Sequence, residues 1–216
     1  MELWSMWTHL LQAALSCLSV HFGFSDAVSI IILTLIARSI MMPVSLVAAY
    51  KMQKNKEATD RLKPLLAELR ETYKDNPSEL SKRTMALYRE HQISFFDKIS
   101  LLNIGSQGVF GIGIYQTLGR TVFSSKFLWI GNLAKPDFLL TVIVGLLMVL
   151  GMTLMPGATS DTSAIVMIAI PVLFSVIFIA AVPSALGIYW ATSNAVTVLQ
   201  TLALRGVLAR QRRFAS

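Results

Sequence analysis

Charge is what this sequence has least of: 14% of its 216 residues are Asp, Glu, Lys or Arg, where a soluble domain carries about 25%. With 54% hydrophobic residues beside that shortage, lipid is the expected solvent. Cysteine is almost missing. Cys17 alone excludes an internal disulfide, and the three histidines, His9, His21 and His91, are scattered, so neither a metal site nor a cofactor is expected. The start MELWSMWTHLL has no basic n-region and predicts no cleaved signal or transit peptide. Ala14-Leu15-Ser16-Cys17 has only the outline of a lipid-attachment box, with no Lys or Arg before it, so lipidation of Cys17 is not expected.

What is present is a set of apolar stretches close to the roughly 20 residues a helix needs to cross a bilayer. They are Ala27 to Tyr50, Ile99 to Leu118, Phe138 to Met155, Ala164 to Val182 and Ser184 to Leu204. The expected fold class is therefore an all-α membrane protein with five transmembrane helices, at 26–50, 99–119, 138–155, 164–182 and 184–204. Residues 1–25, with two Trp, two His and no basic anchor, predict an interfacial amphipathic helix, with a sixth span as the alternative.

The basic residues set the expected topology. Eleven of the 19 lie between Lys51 and Lys98, and four more, Arg205, Arg210, Arg212 and Arg213, lie in the tail 205–216, so both segments are expected on the cytoplasmic side. The loop 120–137 carries Arg120, Lys126 and Lys135 with Phe127 and Trp129, and is expected outside, as is the N-terminal helix; the loop 156–163 is expected inside.

Within 51–98, Leu62, Leu65, Leu66, Leu69 and Tyr73 recur at helical spacing, the chain stops at Lys74-Asp75-Asn76, and Asn76-Pro77 with Glu79 starts a second helix. The prediction is a cytoplasmic antiparallel hairpin. Its stripes can pack on each other with the charges as a solvated face, and the same hairpin can serve as a docking arm for a ribosome, a targeting factor or a substrate. Eleven basic residues face eight acidic ones there, which is no phosphate-neutralising stripe, and no DNA partner is expected. The purely basic tail, Arg205, Arg210, Arg212 and Arg213, reads first as an anchor on anionic lipid and second as a ribosome contact.

Arg38 stands halfway along the first apolar stretch. A central arginine costs roughly 2.5–3.5 kcal/mol on insertion scales, so it is expected to face water or a partner. No acidic residue lies in any of the five stretches, which excludes a buried ion pair and points to a hydrated cavity. Thr34 lies one turn before Arg38 on the same face. Asn103, Ser106, Gln107 and Gln116 in the second stretch, and Tyr189, Trp190, Thr192, Ser193 and Asn194 in the fifth, are expected to turn inward, as a groove lining or as interhelical glue; glue suits Gln116 and Ser193 best. Gly105-Ser106-Gln107-Gly108 has the look of a nucleophile loop, yet no histidine lies in a span to act as its base, so no covalent chemistry is expected.

The stretch Ile30 to Pro43 with Thr34 and Arg38, the segment Met52 to His91 with Leu62-Lys63-Pro64, the loop Phe127-Leu128-Trp129-Ile130 with Lys135-Pro136-Asp137, and Pro183 to Asn194 together resemble the YidC/Oxa/Alb family of membrane protein insertases, in its short bacterial form. The resemblance implies five core helices around a hydrophilic groove, lined or bordered by Arg38, Thr34, Gln107, Tyr189 and Trp190, with Asn194 beside them. It implies an apolar slide on spans two and four, for which Phe110, Ile114, Phe174 and Phe178 are the candidates. The implied partners are nascent membrane proteins, a ribosome and Sec translocon, and anionic lipids; the implied location is a bacterial plasma membrane. The chain departs from the family pattern at Ser94 to Asn103, where a Gly, Cys and Pro containing entry is usual, at Val109, where a proline is common, and at Met152 in a usually polar groove position. A secondary transporter or small channel for an anionic solute stays open as the alternative, although no inverted repeat is visible.

Overall fold

A computed structural model describes residues 2–94, 97–123, 125–154 and 162–214. All its named elements are helical: α1 (Glu2–Ser16), running into a π-helical turn (Cys17–His21), α2 (Asp26–Thr72), α3 (Pro77–Glu90), α4 (Lys98–Arg120), α5 (Phe138–Leu154), α6 (Thr162–Ala181) and α7 (Ser184–Phe214). The expected loop 156–163 lies almost wholly outside the described residues. α5 packs against α6 and α7, α2 against α4 and α7, and α1 lies across α4.

The expected boundary at Tyr50 is not a break. α2 runs on for 47 residues, about 70 Å at 1.5 Å per residue, more than twice the roughly 30 Å of a hydrocarbon core. Only its first half is apolar, so composition changes along one continuous rod. No cap or glycine interrupts it, and Pro43 and Pro64 are both accommodated inside the helix. Among the described residues α2 alone is long and apolar enough by itself to cross a membrane; Phe138–Leu154 and Ala169–Ala181 are apolar but shorter.

The hairpin forms by local chemistry. α2 ends at Thr72; the Asn76 side chain then accepts from the Glu79 N–H at 3.1 Å, with Pro77 at the first helical position, as the sequence predicts. α3 ends in a Schellman turn: Gln92 takes a left-handed φ of 56°, its N–H donates to Arg89 O, and the Ile93 N–H donates to Tyr88 O. The turn delivers Ile93 onto Leu62 and Leu66 of α2, with Leu87 and Tyr88 alongside. The two helices thus share a small apolar seam of their own.

Where the chain re-enters the bundle, Asp97 caps α4 through the Ile99 and Ser100 N–H groups, at 2.8 and 3.1 Å, and meets Lys51 of α2 at 3.3 Å. The Ser100 N–H first, then the Ile99 N–H and Lys51, hold this carboxyl below the usual aspartate range. A depressed carboxylate stabilises the fold above its unfolded pKa, and that contribution is lost as pH falls through the lower native value. Thermal unfolding scanned across acidic pH should therefore show a slope that Asp97→Asn flattens; an unchanged slope would remove Asp97 from the account.

At the opposite end, residues 125–137 seal the bundle. Leu133 is fully buried, and the first N–H groups of α7, which have no helical partner, donate to it: Ser184 to Lys135 O at 2.9 Å and Ala185 to Leu133 O at 3.1 Å. Asp137 accepts from the Leu140 N–H and the Trp129 indole.

α1 is fixed to α4 by two tryptophans: Trp4 donates to Gln116 Oε1 at 2.8 Å and Trp7 to Val109 O at 3.3 Å. Gln116 is the interhelical glue its sequence setting suggests. The Trp7 ring fits because residue 113 is glycine; a Cβ there would collide with the indole and stand 2.8 Å from Leu11 Cδ1. Gly113→Ala should cost about 1–3 kcal/mol by overpacking. Detergent thermal melts should also show Gly113→Ala with Trp7→Phe losing less than the sum of the two. Strict additivity would mean that the glycine is not there for the indole.

Candidate groove around Arg38

Arg38 is built into a neutral hydrogen-bond cage contributed by two helices. Its Nε donates to Ser193 Oγ at 2.9 Å, Nη1 to Gln107 Oε1 at 3.0 Å, and Nη2 to both Ser193 O at 3.0 Å and Thr197 Oγ1 at 3.1 Å. Four of the five guanidinium hydrogens are thereby engaged. Gln107 is itself oriented: its Nε2 donates to Asn103 Oδ1 at 3.0 Å, so its oxygen is left for the arginine. The sequence left Arg38 a choice between water and a non-acidic partner, and the cage supplies neutral partners. α7 presents Ser193, Thr197 and Thr201 one turn apart on a single face, and that face meets α2. No carboxylate pairs with Arg38 among the described residues, so its donors are mostly satisfied while its charge is uncompensated.

Two cavities meet at this side chain. One, of about 420 Å³, is lined by Arg38, Gln107, Tyr115, Phe178, Tyr189, Trp190 and Asn194, among others. The other, of about 170 Å³, runs toward the hairpin past Ser45, Asn103, Thr197, Gln200 and Thr201. Gln200 Nε2 is buried there without a hydrogen-bond partner, which marks the smaller cavity as a place for water. The larger one is walled by aromatic rings: Tyr189 meets Trp190 at 6.2 Å, and Trp190 meets Phe178 at 5.6 Å, with Phe110 packed behind Tyr189 at 6.0 Å. Among the described residues the α4 and α6 backbones make no contact, and Tyr115 reaches Phe178 across the gap, ring centres 6.1 Å apart.

Residues 17–211 match the family model described as 60Kd inner membrane protein. The chain belongs to that family, the YidC/Oxa/Alb proteins. The Membrane protein insertase YidC 1 of Listeria monocytogenes is 32% identical over 220 residues, covering 95% of this chain and 74% of the relative. The Membrane protein insertase YidC of Helicobacter pylori is 34% identical over 191 residues, and that of Aquifex aeolicus 32% identical over 196, covering 34% and 37% of those longer chains.

For this YidC/Oxa/Alb chain the structure brings Arg38, Gln107, Tyr189, Trp190 and Asn194 together around the larger cavity. Thr34 stands apart: it is fully buried, its hydroxyl donates to Ile30 O at 2.7 Å, and it lines neither cavity. Of the slide candidates, Phe174 is 73% exposed beside Ile170, Leu173 and Ile177, and Phe178 closes the cavity wall. Phe110 and Ile114 face inward instead, at 5% and 1% exposure, because α1 covers that side of α4. The outward apolar face of α4 is carried by Ile104, Ile112 and Tyr115. Arg205 and Arg210 are exposed on α7; the side chains of Arg212 and Arg213 lie outside the described set. Sequence reasoning missed Thr197 and Gln200, and preferred interhelical glue for Ser193, which both ties α2 to α7 through Arg38 and lines the larger cavity. The four-residue spacing Ser193, Thr197, Thr201 was the available signal.

Proposed function

We infer that this protein is a membrane protein insertase of a bacterial inner membrane, and that the groove around Arg38 is where it receives its clients. Membrane protein clients follow from that role, and no covalent chemistry is needed. In this reading five helices span the bilayer, with the hairpin and basic tail in the cytoplasm and the α1 helix at the outer surface. Ribosome and translocon contacts belong to the hairpin and tail.

The observation that carries the reading is an arginine whose donors are held by neutral groups while no acid cancels its charge. Such a group gives a positive potential to the cavity without collapsing into an ion pair. A polar or acidic client segment entering from the hairpin side would be held near Arg38 and so cross a shorter path of hydrocarbon. The client's apolar segment would leave between α4 and α6, past Ile112, Tyr115 and Phe178 and along Leu173, Phe174 and Ile177, all on the open side. This reassigns the slide on α4 from Phe110 and Ile114 to its outward face.

Depletion of the protein in its own cell, followed by pulse-labelled insertion of small one- and two-span proteins, tests the role. Insertion should fall severalfold; normal insertion would refute it, and anionic solute uptake by purified protein in liposomes would favour a transporter.

A further inference from the structure

Outside the groove, a separate polar cavity of about 550 Å³ lies between the second half of α2 and residues 91–94 with Asp97. α2 lines it with Lys51, Lys54, Ala58 and Arg61, a single helical stripe, and His91 faces them at the end of α3. Two carboxylates share the space, and both have partners. Asp97 caps α4 and pairs with Lys51, while Glu57 accepts from Gln53 Nε2 at 2.7 Å. Lys54 and Arg61 are exposed and take part in none of the described ion pairs; the Lys54 ammonium lies 5.1 Å from the Tyr50 ring centre.

We propose that this cavity binds the phosphate of an anionic lipid headgroup, with Lys54 and Arg61 as its charge partners and His91 as a further donor. Depth argues for lipid. Tyr50 ends the apolar half of α2 and Lys98 opens α4, so the cavity stands where both helices leave the hydrocarbon on the hairpin side. Basic pockets between membrane helices at that level suit headgroup phosphates, and a guanidinium can grip one bidentately. The carboxylates argue against a polyanion: a nucleic acid backbone would press several phosphates on Asp97 and Glu57, whereas one phosphate can sit on the Lys54 and Arg61 side. The proposal rests on α2 spanning the membrane and not on client insertion, so lipid binding and insertion can fail independently.

The test is native mass spectrometry of the full-length protein in neutral detergent, titrated with phosphatidylglycerol, with phosphatidylcholine, inorganic phosphate and a short RNA oligonucleotide as competitors. The double variant Lys54→Gln/Arg61→Gln should raise the half-saturating phosphatidylglycerol concentration about tenfold or more. Lys82→Gln/Arg89→Gln, which removes the same charge from the exposed face of α3, should leave it unchanged. Equal shifts in the two variants, equal binding of phosphatidylcholine, displacement of the lipid by millimolar inorganic phosphate, or displacement by the RNA would each overturn the proposal.

Discussion

Arg38→Ala is expected to slow insertion of a client with an acidic translocated tail by roughly 30-fold, and of a neutral-tailed client by under about threefold. The first figure follows from Coulomb's law: opposite unit charges about 7 Å apart at an effective dielectric near 20 attract by about 2 kcal/mol, which is about one and a half decades in rate. The protein should survive the change. Removing the arginine leaves Gln107, Ser193 and Thr197, which are neutral and can bond to water or to one another in a cavity that already admits water. Reconstituted insertion with paired clients differing only in tail charge measures the ratio. Arg38→Lys sharpens the reading: it keeps the charge but loses the fork that spans α4 and α7, so the preference for acidic tails should persist at a lower overall rate. Equal slowing of both clients by Arg38→Ala would mean that the arginine only keeps the cavity wet.

The largest stability effect should come from the cage and not from the charge it holds. Ser193→Ala with Thr197→Val removes two bonds to a guanidinium, each worth about 1.5–3 kcal/mol, and strands its donors in the bundle. The expected loss is about 3–5 kcal/mol, seen as a marked drop in detergent melting temperature. The same pair in an Arg38→Leu background should cost less than about 1 kcal/mol, because no buried charge is then left short of partners. If the pair is equally damaging with and without the arginine, Ser193 and Thr197 act as packing residues and the cage has no energetic meaning.

What the sequence made legible was either local or expensive. The Asn76-Pro77 start of α3 depends on three neighbouring residues, and Arg38 announces itself by its cost in hydrocarbon. Facing relations were harder to read. α4 is apolar nearly all round, so its pattern cannot say which side α1 covers; only packing shows Phe110 and Ile114 turned in and Ile112 and Tyr115 turned out. Thr34 shares the face of Arg38, yet its hydroxyl turns back to Ile30, a choice a β-branched residue makes from its own rotamer. The continuity of α2 past Tyr50 was masked by a change from apolar to charged residues, which alters solvent without breaking a helix. Thr197 was missed because a hydroxyl midway along a helix has no meaning until its partner is known.

The central claim, that clients pass through the cavity beside Arg38, is tested most directly by site-specific photocrosslinking of ribosome-bound nascent chains. Probes at Gln107, Tyr115 and Trp190, which line the cavity, should crosslink a stalled client, while probes at buried Thr34 and at Leu146, 65% exposed on α5, should not. Crosslinks from Leu146 as strong as those from Gln107, or none from any cavity position, would contradict the account.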